Sequence, residues 1–163
     1  LDNYRDSEEL IRTLIDTVSK DGNFLLNVGP TARGEIEPNQ LRRLEEVGAW
    51  MRRHGRAIAG CGAAPEGIAT PADCRLTYNP RTNRLYVHLF AWPYQHLHLP
   101  GLAERVAYAQ FLHDGAELHE RGLEEWQQQH AADAGFARDM LSIRWPLQRP
   151  AVAVPVIELF LKS

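Results

Sequence analysis

The sequence predicts an α/β piece followed by an antiparallel β-sandwich, divided into residues 1–62 and residues 63–163. Three observations predict it. A short apolar run, Gly22-Asn23-Phe24-Leu25-Leu26-Asn27-Val28-Gly29-Pro30, lies between two stretches of helical periodicity. A segment dense in Gly, Ala and Pro follows at residues 60–67. Beyond it, short apolar runs alternate with turn residues and helical patterns are few, the texture of a small antiparallel sandwich.

Taken in order, Asp6 or Ser7 caps the first helix, and Glu8 and Glu9 suit its positive N-terminal end. Leu10, Ile11, Leu14, Ile15 and Val18 recur at helical spacing, which puts Arg12, Asp16 and Lys20 on the opposite, wet side. Gly22 stands where a left-handed residue commonly ends a helix. The run from Phe24 to Val28 then reads as a strand buried on both faces, because Phe24, Leu25, Leu26 and Val28 leave little alternation. After a polar loop, Pro38 suits the first position of a second helix. Its stripe is Leu41, Leu44, Val47 and Met51, widened by Trp50 and stopped at Gly55. One strand and two helices close no core, so this piece needs neighbouring strands.

The second part offers strands at residues 75–78, 84–92, 96–99, 106–112, 140–145 and 152–161. Pro155 marks the last as an edge or a bulge. Residues 123–134, rich in Glu, Gln and Ala, read as an inserted helix or a mobile loop.

Composition narrows the function classes. The chain has 163 residues, an apolar fraction of 44% and a formal charge of −3. No basic block stands out, so nucleic acid is not an expected partner. The apolar runs fall far short of a membrane span. Cys61 and Cys74 are too few for a disulfide framework and read as two buried thiols. The first residue is Leu1 rather than Met, which reads as truncation or cleavage and leaves localisation open.

The chemistry-bearing candidates each have a plain alternative. His96 and His98 share one face of a strand, but no further ligand lies nearby, so they read as surface histidines and no metal or other cofactor is expected. Pro30 removes an amide that a phosphate cradle in residues 29–34 would need. Glu35 and Glu37 could be paired carboxylates, yet helix-start electrostatics accounts for them more simply. Trp92 and Tyr94 could stack on a sugar or pack in the interior. No nucleotide-binding or nucleophile-elbow motif is present.

One resemblance is specific. Ser19-Lys20-Asp21-Gly22-Asn23-Phe24-Leu25-Leu26-Asn27-Val28-Gly29-Pro30, with Gln40, Leu44, Val47-Gly48-Ala49-Trp50-Met51, Gly55 and Ala57-Ile58, resembles the α-L-fucosidases of glycoside hydrolase family 29. The later Leu85-Tyr86-Val87 and Trp92-Pro93 fit the family's C-terminal sandwich more weakly. The resemblance implies the end of a (β/α)8-like catalytic barrel plus a β-sandwich. A whole barrel takes about 250 residues, so only its last part fits here. It implies retaining hydrolysis of α-L-fucosides, with an Asp nucleophile and a Glu acid/base. The Asp falls upstream of Leu1 and the Glu near or before it. Asp2, Asp6, Glu8 and Glu9 lie close to that region, and nothing marks one of them as the acid. No catalytic residue is therefore assigned within the chain.

Two substrate-binding candidates come from the resemblance. Phe24 would pack on the methyl group of fucose, or is ordinary barrel core. Asn27 lies toward the strand's C-terminal end, where barrel sites gather, or caps the following turn. The implied partners are a fucosylated glycan and the missing N-terminal part of the barrel. Three places depart from the family's pattern: Arg33 where Asp is common, His54-Gly55-Arg56 where Asn-Gly-Glu is common, and Ala59-Gly60-Cys61 where Tyr-Gly-Thr is common. Two alternatives stand beside the fucosidase reading. One is a non-catalytic carbohydrate-binding or structural sandwich, motivated by Trp92, Tyr94 and Trp126; the other is a degenerate family member acting on another sugar.

Overall fold

The computed structural model of the chain describes residues 4–92, 96–121, 139–144, 146 and 148–162. The first helix, α1, spans Ser7–Val18, and the Asp6 side chain accepts a hydrogen bond from the Glu9 amide at 2.7 Å. The second, α2, spans Pro38–His54 with Pro38 in its first turn, and runs on into a 3-10 turn at Gly55–Ala57. Gly55 caps α2, as expected, in a right-handed conformation that leads into the 3-10 turn. Among the described residues seven strands follow: β1 Cys74–Asn79, β2 Arg84–Leu89, β3 His96–Leu99, β4 Val106–Phe111, β5 Glu120–Arg121, β6 Leu141–Arg144 and β7 Val156–Leu161.

All the pairings are antiparallel, in a four-stranded sheet ordered β1-β2-β7-β4 and a three-stranded sheet ordered β3-β6-β5. Side chains alternate across each strand. Leu85 and Val87 of β2, Ile157 and Leu159 of β7, Leu97 and Leu99 of β3, and Ile143 of β6 share one core. The opposite face of the large sheet, through Tyr86 and Val156, meets Ile11 and Ile15 of α1 and Trp50 of α2 in a second core. The order of layers is helices, four-stranded sheet, three-stranded sheet. β2 and β7 are covered on both sides, which explains why nearly every residue of β2 is buried.

Several expectations change. The run at residues 22–29, expected as a buried strand, forms no ladder among the described residues, where the bridge beside it is Pro30 with Ile36. Exposure alternates along it, with Phe24, Leu26 and Val28 half-buried and Leu25 90% exposed. A strand needs a partner, and among the described residues none lies beside this one.

Asp21, not Gly22, adopts the left-handed conformation at φ 58°. Gly22 is needed for space: a Cβ there would come within 2.9 Å of Thr17 Cγ2, where the Gly22 amide bonds the Thr17 carbonyl at 2.9 Å. Pro155 precedes β7 instead of marking an edge, and β7 is central. The Pro155 carbonyl accepts from the Leu89 amide at 3.0 Å, so the ring sits where the ladder needs no donor from it. β2 ends at Leu89 rather than Trp92, and β5 had no sequence signal.

Arg12 and Asp16, expected to face water, tie α1 to the sheet domain. Arg12 donates to the Phe90 carbonyl at 2.7 Å, and Arg75 donates to Asp16 at 2.5 Å. Lys20 and Arg75 together hold the Asp16 carboxyl below the usual aspartate range. The segment at residues 60–67 is likewise pinned. Gly62 and Tyr78 exchange backbone bonds at 3.0 Å each, and Asp21 accepts from the Ala63 amide at 2.7 Å. Residues 123–134, Tyr94 and Trp126 lie outside the described residues.

Candidate functional site

The candidate site is the extended segment and what holds its C-terminal end. Gly29 donates its amide to Gln40 Oε1 on α2 at 3.0 Å. The Gln40 amide donates to the Tyr4 hydroxyl at 3.2 Å, and Tyr4 donates to Glu37 at 2.9 Å. Arg43 donates to the Arg5 carbonyl at 2.7 Å, with its guanidinium 5.4 Å from the Tyr4 ring centre. These bonds seat the segment between the start of α1 and the first half of α2. They frame a cavity of about 260 Å³ lined by Tyr4, Leu10, Leu26, Asn27, Val28, Gln40 and Leu44.

Phe24 is half-buried, in step with Leu26 and Val28. Asn27 is exposed, in step with Asn23 and Leu25. The segment thus turns the two substrate-binding candidates to alternate sides. Asn27 borders the cavity, which Phe24 does not line. Among the described residues, no backbone hydrogen bond engages residues 23–28. Glu37 is the N-cap residue of α2 and its carboxylate is occupied by Tyr4. Glu35 is exposed in the loop, where its amide donates to Thr31 Oγ1 at 3.3 Å.

The remaining candidates have quieter surroundings. His96 and His98 do share a face, their rings 6.1 Å apart and nearly parallel, while Leu97 and Leu99 enter the core. Burial holds the His98 pKa below the ordinary histidine value. Among the described residues, no group of three His, Cys, Asp or Glu side chains is placed to hold a metal ion. Trp92 packs on the core beside Phe111, 6.3 Å between ring centres. Cys61 and Cys74 are free thiols, each pushed by burial up to about 11.

Sequence reasoning missed the polar groups inside the second core. Glu158 on β7 is 4% exposed and accepts from Gln110 at 2.6 Å, Arg56 at 3.1 Å and Tyr86 at 3.2 Å. Burial and the Glu158 charge drive the Tyr86 phenol well above its usual range. Arg56 is one of the departures named above, and here its partner is visible. The alternation of β7 places Glu158 on the outer face with Val156 and Phe160, but only the ladder shows that Tyr86 and Gln110 flank it.

Comparison with known proteins follows the same segment. A family model described as α-L-fucosidase matches residues 1–56. The α-L-fucosidase of Dictyostelium discoideum is 45% identical over 91 residues, 55% of this chain and 19% of that protein. The human plasma α-L-fucosidase is 34% identical over 95 residues, 57% of this chain and 20% of that protein. The structure of α-L-fucosidase isoenzyme 1 from Paenibacillus thiaminolyticus superposes with a TM-score of 0.84 at 39% identity. That match covers 99% of this chain and 36% of the solved one. The chain thus aligns with about a fifth of the length of its sequence relatives and about a third of that structure.

Proposed function

The chain belongs to the α-L-fucosidases of glycoside hydrolase family 29, and from that premise we propose that it is the C-terminal portion of a retaining exo-glycosidase that hydrolyses α-L-fucosides from glycoconjugates. Residues 1–62 then supply the last strand and helices of the catalytic (β/α)8-like barrel, and residues 63–163 the β-sandwich behind it.

The observation that carries this reading is the segment at residues 22–29. It is extended, bonded to α2 at its end, without a ladder among the described residues, and it turns Leu25 into solvent. Its unpaired edges are those of a strand lifted out of a sheet, and the rest of the barrel is the partner that supplies both neighbours. In that setting Phe24 and Asn27 form part of the sugar pocket's wall. A small apolar contact to a deoxy-sugar methyl is worth about 1–3 kcal/mol in discrimination. The nucleophile and the acid/base come from the upstream part, so the two-carboxylate chemistry of retention is completed only in the whole enzyme. No metal or organic cofactor enters this mechanism.

The test is hydrolysis of an aryl α-L-fucoside by the 163-residue chain and by the protein extended upstream through a full barrel. The extended protein should turn over with retention of anomeric configuration and the short chain should be inactive. Hydrolysis by the short chain, or inversion by the long one, would overturn the proposal.

A further inference from the structure

Two histidines in the second core are left half-satisfied. His54, at the end of α2, is 1% exposed and stacks on Trp50 with ring centres 4.8 Å apart. Its Nδ1 lies 3.0 Å from the Trp50 carbonyl. A carbonyl only accepts, so Nδ1 carries the proton and Nε2 is a bare lone pair. No described group donates to that Nε2.

His88, on β2, is fully buried. Its Nε2 lies 2.8 Å from Thr77 Oγ1, and that hydroxyl spends its one proton on the Ala57 carbonyl at 2.7 Å. Thr77 must therefore accept from His88, which fixes the proton on Nε2 and leaves Nδ1 bare, again with no described donor. A third ring, His113, just beyond β4, stands 6.3 Å from His54.

The groups around the pair favour no positive charge. Trp50 and Arg53 face His54 from its own helix, and His113 faces it from the sheet. The Asp114 carboxylate lies 3.4 Å from His113 Nε2. Glu46 and Arg52 border the surface cleft that reaches His54. Glu158, farther along the same sheet face, is committed to Arg56, Tyr86 and Gln110.

We propose that His54 and His88, faced by His113, form an acid-sensitive latch between the helical layer and the four-stranded sheet. While the rings are neutral the two layers hold. A proton on either bare nitrogen becomes a buried charge with no acceptor, and separating α2 from the sheet lets water solvate it. Burial holds His54 down to about 4 and His88 down to about 3, so both accept protons far more readily once the layers part. The latch reaches the candidate site through α2, which carries Gln40 and so the end of the extended segment. It stands independently of which sugar, if any, the protein cleaves.

Imidazole ¹⁵N spectra of the protein test the arrangement directly. His54 should be the Nδ1–H tautomer and His88 the Nε2–H tautomer, both neutral at pH 5.5; either ring titrating near 6.5 in the folded protein would overturn the proposal. The linked measurement is proton uptake on unfolding at pH 5.5. The double variant His54→Asn/His88→Gln, which keeps both donors, should take up about two protons fewer than the parent, removing about a hundredfold per pH unit from the unfolding constant. An unchanged uptake would overturn it. Hydrogen exchange in mild acid separates a latch from general collapse. Amides in the last turns of α2 should lose protection while β2 and β7 keep theirs. Simultaneous loss across helices and sheet would sink the latch. If the variant does not fold, the spectra and the exchange on the parent protein decide.

Discussion

Two apolar runs of nearly the same composition behave in opposite ways. β7, Val-Ile-Glu-Leu-Phe-Leu, pairs on both edges and is covered on both faces. The segment at residues 23–28, Asn-Phe-Leu-Leu-Asn-Val, pairs on neither edge among the described residues and exposes one face. Local sequence gives both an extended, apolar character. What separates them is supply: the strands that flank β7 lie in this chain, whereas the superposition on the Paenibacillus thiaminolyticus structure covers only 36% of that chain. An apolar run says that a surface will be covered, and only the rest of the molecule says by what.

That contrast can be broken most forcefully in the sheet. Leu159 on β7 is fully buried, so Leu159→Ala should cost about 2–5 kcal/mol in urea unfolding. A loss below about 1 kcal/mol would mean the sheet does not carry the fold.

Acid should act on the other side of the same sheet. Histidine binds protons near 6.5 when unfolded, and His54 does so only near 4 in the core. Below 6.5 the unfolded state therefore binds more protons, and stability falls as pH drops from 6.5 toward 4, by about 3 kcal/mol for His54 alone. The unfolding midpoint measured across this window should decline toward acid and level off above pH 7. A flat profile between pH 7 and 4.5 would contradict it.

Smaller effects belong to the extended segment. In the protein extended through its barrel, Phe24→Ala should lower kcat/KM on an aryl α-L-fucoside by about 5- to 100-fold, with unfolding little changed. An equal loss toward a sugar lacking the methyl would make Phe24 a packing residue instead. In the 163-residue chain, Leu25→Ala should shift unfolding by less than about 0.5 kcal/mol, because the side chain is already in water. A cost like that of Leu159→Ala would mean the leucine is covered after all.

Much of the fold was legible. The helix over residues 7–18 announced itself through Asp6 and the Ile11/Ile15 spacing, and the helix from Pro38 through its first-turn proline. The strands expected at residues 75–78 and 84–92 pair as β1 and β2. What was hidden depended on partners. Asp16 looked solvent-facing because its tie to Arg75, 59 residues away, has no local signature. Pro155 looked like an edge marker because one residue of offset decides whether its missing amide matters. His54 and His88 carry no periodic signal as a pair, since helix and sheet bring them together only in three dimensions. Of the candidate site, Phe24 and Asn27 were named by resemblance. Their alternation across an unpaired segment emerged only from the structure.

The measurement that bears most directly on the central claim is amide hydrogen exchange at residues 23–28. In the 163-residue chain these amides should exchange near the intrinsic rate while β2 and β7 are protected. In the protein extended upstream through a full barrel they should become as protected as the sheet. Protection of residues 23–28 in the short chain, or its absence in the long one, would contradict the proposal that this segment is a strand whose neighbours lie outside these 163 residues.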